Sequence, residues 1–84
     1  GDNMAETAIP IQARRTMNNT FMQKYLHGQV SSWSKTQVVI SMALSAQRTV
    51  ESSFPYTKLK EAAGIIYDQM YSGISLSYDY TASV

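Results

Sequence analysis

The stretch Ser34-Lys35-Thr36-Gln37, followed by Val38-Val39-Ile40, constrains this chain more than any other. A serine at a helix N-cap and a glutamine three positions later can each satisfy a backbone N–H beside the other. Trp33 before the cap and Val38 four positions after it stand at the spacing of a hydrophobic staple. A helix therefore starts at Ser34, and its pattern carries it to about Ser52. Val38, Val39, Ile40, Met42, Ala43, Leu44 and Ala46 surround most of its circumference. A helix apolar on nearly all sides belongs at the centre of a bundle or in a dimer interface.

Its cover is visible on both sides of the sequence. Met17, Phe21 and Tyr25 recur every four residues, with Met22 and Leu26 widening the stripe, which predicts a helix over 14–27. Gly28 supplies its stop. After Phe54-Pro55, where proline disfavours helix in the residue before it, Leu59, Ala62, Ala63, Ile66 and Met70 give a third stripe over 57–72. Gly73 is expected to end that helix, and Gly64 within it suggests a close backbone contact. The termini change period. Ile9, Ile11 and Ala13 alternate with Pro10 and Gln12, and Ile74, Leu76, Tyr78 and Tyr80 alternate with polar residues. Both read as short extended segments, the second a half-buried strand in need of a partner. The expected fold is mainly α: a three-helix bundle with short extended segments at both termini. Residues 1–8 read as a flexible arm and 9–84 as a single helical domain. Gly1 to Asn3 precede Met4, which reads as the natural start.

An 84-residue chain makes one domain at most, and it buries only about 60–65% of its unfolded surface. With no cysteine to form disulfides or thiolate metal sites, association into a dimer or larger homo-oligomer is the expected remedy. The absence of cysteine leaves the redox compartment open. No apolar run approaches the roughly 20 residues that span a bilayer, so no membrane partner is expected.

Net charge is only +1, but its distribution is uneven. No acidic residue occurs from Thr7 to Val50, while Arg14, Arg15, Lys24, Lys35 and Arg48 give that stretch +5. From Glu51 onward, Glu51, Glu61, Asp68 and Asp79 outnumber Lys58 and Lys60. This segregation points to an acidic partner for the first half, a nucleic acid or an acidic protein, or to head-to-tail self-contact. Nucleic acid rewards such a face because each neutralised phosphate releases counterions. Arg14, Arg15, Lys24, Lys35 and Arg48 are the candidate nucleic-acid contacts.

The chemistry of catalysis is thinly represented. His27 is the one histidine and stands at a helix end, where an imidazolium suits the helix dipole. Glu61 and Asp68 are seven apart, about 10 Å along a helix, and lack the companion ligand three or four positions away that metal-binding helices carry. There is no phosphate-cradling glycine loop and no nucleophile elbow. No enzyme activity, cofactor or metal is expected. The methionines at 17, 22, 42 and 70 fall on apolar stripes and read as core filler. Candidate protein-interface residues are Val39 and Ile40 on the apolar second helix and Tyr78 and Tyr80 on the tail, where a ring with a polar tip suits an interface.

From Ile9 to Ser52 the order of a short alternating segment, a helix ending at Gly28, and Ser34-Lys35-Thr36-Gln37-Val38-Val39 resembles the ribbon-helix-helix family of dimeric DNA-binding repressors. The resemblance covers about half the chain and departs from the family pattern at Pro10 and in the long connection from Gly28 to Ser34. It implies that Ile9, Ile11 and Gln12 enter the major groove as a two-stranded ribbon. The helix start at Ser34 would then hold a phosphate. The functional expectation is an oligomeric, non-enzymatic nucleic-acid-binding regulator. The alternatives are a structural or assembly subunit, viral, secretion or pilus-associated, and an adaptor that binds protein through the apolar helix.

Overall fold

A computed structural model describes the backbone of residues 9–82 and the side chains of residues 9–75. The described residues form four helices: α1 (Ile11–Leu26), α2 (Gln29–Ser32), α3 (Lys35–Gln47) and α4 (Tyr56–Ala82). Among them there is no strand. The expected arm over residues 1–8 lies outside the described residues.

Helix α1 begins three residues earlier than its stripe suggests, and the extended segment expected over 9–13 does not form. The reason is the period of burial. Ile9, Ala13, Met17 and Phe21 are all buried, a spacing of four, whereas Ile11 is 49% exposed. The Ile9–Ala13 alternation is thus the first turn of the helical stripe read with too short a period. Pro10 stands at the N-cap, where its fixed φ and missing N–H cost nothing, and its carbonyl accepts from the Arg14 N–H at 3.2 Å. At the other end Gly28 adopts φ +75°, the left-handed conformation that stops a helix. The connection beyond it contains one further helical turn, α2. Ser31 and Ser32 both donate to the Gly28 carbonyl at 3.0 Å, and Val30 enters the core.

The capping box at α3 forms as its sequence predicts. Gln37 N–H donates to Ser34 Oγ at 3.2 Å, and Ser34 N–H donates to Gln37 Oε1 at 2.9 Å. A cap of this kind contributes about 1 kcal/mol. Trp33 packs on the core, and Val38 is fully buried within it. The helix ends at Gln47, well short of Ser52. The Thr49 hydroxyl donates to the Ala46 carbonyl at 2.6 Å, offering the last turn a side-chain bond in place of a continuing ladder. Val50 and Phe54 then fold back against the core instead of extending the stripe.

Helix α4 is where the fold departs furthest from expectation. It runs for 27 residues, about 40 Å, straight through Gly73 and over the stretch expected to be a strand. Gly73 keeps a negative φ, and a methyl group placed there would meet nothing within 4 Å. A lone strand needs a partner to satisfy its backbone, whereas an established helix gains one bond for each residue it adds. With residues 11–13 helical, the other half of the expected pairing is gone. The same open space surrounds Gly64, so the close contact expected there is absent.

Three long helices make the bundle. Lys24, late in α1, sits over Trp33 just before α3. Pro10, before α1, shares a cleft with Thr49 and Val50 just past α3. Helices α1 and α3 therefore run antiparallel. Lys35 at the start of α3 reaches Asp68 midway along α4, so α4 reverses again. The core holds Phe21, Met17, Met42, Leu59, Ile66 and Val38, all essentially fully buried. Met22 and Met70 pack at its margin. No polar or charged side chain is buried among the described residues.

Candidate functional site

The antiparallel packing of α1 and α3 brings two acid-free helices side by side and leaves the carboxylates Glu61 and Asp68 to α4. The five candidate cations do not form one patch. They divide between the two ends of the bundle. Arg14 and Arg15 lie in the first turn or so of α1, and Arg48 is the C-cap of α3, at the end where Pro10 meets Thr49. Arg15 and Arg48 are exposed and Arg14 is half-buried. Lys24 and Lys35 lie at the opposite end, about 15 Å further along α1 at 1.5 Å per residue.

At that second end both lysines rest on aromatic rings. Lys24 Nζ is 4.7 Å from the centre of the Trp33 ring. Lys35 Nζ is 5.6 Å from the Tyr67 ring and 2.8 Å from Asp68 Oδ1. The Lys35 and Asp68 side chains are 51% and 63% exposed, so the pair is solvent-screened and contributes little more than about 1 kcal/mol. Tyr67 meets Phe21 edge-on at 5.4 Å and lies nearly parallel to Tyr71 at 5.8 Å. Burial pushes the Tyr67 phenol above its ordinary range. Tyr71 and Asp68 push it further up, while Lys35 pulls the other way. Between α2, α3 and α4, Lys35, Tyr67, Asp68 and Tyr71 border an open groove of about 540 Å³, completed by Val30, Ser31 and Ser72.

The remaining candidates are placed as follows. Val39 is 6% exposed and its apolar side chain is used inside the core. Ile40 is half-buried and stands one turn from Leu44, which is 48% exposed. Tyr78 and Tyr80 lie on the helical backbone of α4, so the strand expected to carry them is not there; their side chains lie outside the described residues. The ribbon implied by the ribbon-helix-helix resemblance is also absent. Ile11 and Gln12 belong to the first turn of α1, and the Ser34 cap is occupied by Gln37. His27 is exposed at the end of α1, with Nδ1 2.7 Å from the Gln23 carbonyl, a contact that requires the proton on Nδ1. The sequence reading missed the groove that Tyr67 and Tyr71 form with Lys35, Asp68 and Ser31. Only the i, i+4 spacing of the tyrosines hinted at a shared face.

Among the described residues no group of three or more His, Asp or Glu side chains could hold a metal ion. No described helix is long and apolar enough to cross a membrane. Comparison of the chain with protein-family models, curated proteins and solved structures finds no match to any of them.

Proposed function

We propose that this chain is a small non-catalytic protein that binds nucleic acid through its α1–α3 side and works as a regulator by occupying it. The observation that carries this reading is the pairing of two antiparallel helices without a single carboxylate between residues 7 and 50. Arg15 and Arg48 are exposed at one end of that pair, and lysines stand at the other. The exposed arginine end is where a polyanion would make its main contacts. The test is fluorescence anisotropy of a labelled duplex DNA at two salt concentrations. Each phosphate contact should contribute about 0.9 to the logarithmic salt slope. The double change Arg15→Glu with Arg48→Glu should weaken binding at least about tenfold and flatten that slope by about 2. Binding that survives the double change, or none at low salt, rejects this reading.

A second reading, an assembly subunit or adaptor, draws on a different observation. Ile11, Leu26 and Leu44 are 49%, 74% and 48% exposed on the outer faces of α1 and α3. A contiguous apolar patch would mark a contact surface for another chain, and these three side chains are its candidates. The tail strand no longer supports it, because residues 74–82 are helical. Light scattering of the protein with Leu26→Glu and Leu44→Glu tests it. A drop in mass relative to the unaltered chain favours assembly, and a monomeric mass in both removes self-association.

A further inference from the structure

We infer that the groove between α2, α3 and α4 is a base-stacking site, and that the nucleic acid this chain prefers is single-stranded. The inference rests on the nucleic-acid reading above and adds to it the class of strand. Tyr71 is 50% exposed, and behind it Tyr67 lies nearly parallel at 5.8 Å. Tyr67 is itself held from the core by the edge of Phe21. The exposed ring thus has a rigid support, and ordering it against a flat ligand costs little entropy. A nucleobase has a π-face whatever its identity, so a ring of this kind accepts any base.

The rest of the groove suits a base better than a phosphate. Lys35 and Asp68, 2.8 Å apart, balance each other's charge and together present a donor beside an acceptor. The edge of a base offers the same alternation. Ser31 and Ser72 add hydroxyls and Val30 an apolar wall to this open groove. Lys24, over Trp33 at the same end of the bundle, is a second cation for the backbone of a strand whose base enters here. A duplex keeps its bases stacked and paired, and so cannot fill the groove without losing both.

The experiment compares a labelled mixed-sequence single strand with the duplex of the same sequence, using the full chain, Tyr71→Ala and Tyr71→Phe. The single strand should bind at least about tenfold more tightly than the duplex. Tyr71→Ala should lose about tenfold in single-strand affinity, the scale of one lost base–ring stack, with duplex affinity unchanged and Tyr71→Phe near normal. Equal affinity for both forms, or a single-strand affinity indifferent to Tyr71→Ala, overturns the groove and leaves duplex binding through Arg15 and Arg48 standing. Binding to neither form rejects both readings together. Titration of the unaltered chain with adenosine monophosphate, followed by amide chemical shifts, is independent of any variant's folding. Shifts centred on Ser31, Lys35 and Tyr71 support the site, and shifts elsewhere or none overturn it.

Discussion

Tyr67 shows how one side chain can serve the core and the groove together. It is 8% exposed, touches Phe21 on one side and Tyr71 on the other, and has Lys35 above its ring. Burial, followed by Tyr71 and Asp68, raises its phenol above the ordinary 10.0 against the pull of Lys35. A group whose folded pKa exceeds its unfolded value contributes stability that is complete below the unfolded value. That contribution is lost as pH rises through the folded one. Stability should therefore fall above about pH 10, and Tyr67→Phe should blunt the fall. Denaturant midpoints taken from pH 8 to 11 measure it, and identical alkaline profiles in the two proteins would reject the assignment. Neither the raised phenol nor its neighbours could be read from the chain. The i, i+4 pair Tyr67 and Tyr71 is visible there, but Phe21 and Lys35 arrive from other helices.

At the level of the element, α4 carries two glycines that its geometry does not require. Gly64 and Gly73 have ordinary helical φ, and a methyl group at either meets nothing within 4 Å. Gly64→Ala should stabilise the protein by about 0.5–1 kcal/mol, because alanine loses less backbone entropy in a helix. A shift of the urea midpoint to higher concentration with an unchanged m-value confirms it; a destabilised variant would mean that α4 meets something at that face. Gly28 is the opposite case. Its φ of +75° is open in space but strained for most other residues, and it makes the turn from α1 into α2. The same residue type thus means a stop at position 28 and an unused position at 64 and 73. Composition cannot separate the two, because the difference lies in φ and in what stands nearby.

For the whole molecule, stability depends on one thin layer of apolar contacts. There is no disulfide, the described ion pair Lys35–Asp68 is exposed, and among the described residues no polar side chain is buried to add a directional lock. A domain of this size has a total stability of roughly 4–12 kcal/mol. Phe21 is fully buried at the junction of α1 and α4. Phe21→Ala should cost about 3–5 kcal/mol, a large fraction of that total. A far-UV circular dichroism melt should show a much lowered midpoint or no cooperative transition. A loss below about 1 kcal/mol would reject a central place for Phe21 in the core.

The sequence by itself determined the features that depend on neighbours within one or two turns. The capping box at Ser34 and Gln37, the stop at Gly28, the break at Phe54-Pro55 and the buried rows from Met17 and Leu59 are all local. Each needs only the hydrogen bonds of one turn or the periodicity of one face. The separation of charge between the first and second halves was equally legible. Only the tertiary structure decided what alternation means at positions 9–13 and 74–82. A period of two and a period of four share residues such as Ile9 and Ala13, and the choice depends on whether a partner strand or a packed helix satisfies the backbone. It also ended α3 at Gln47, split the five cations between two ends of the bundle, and put Lys35 beside Tyr67 and Asp68. Those outcomes depend on which helices meet and in which direction, and no spacing along a single stretch of chain records that.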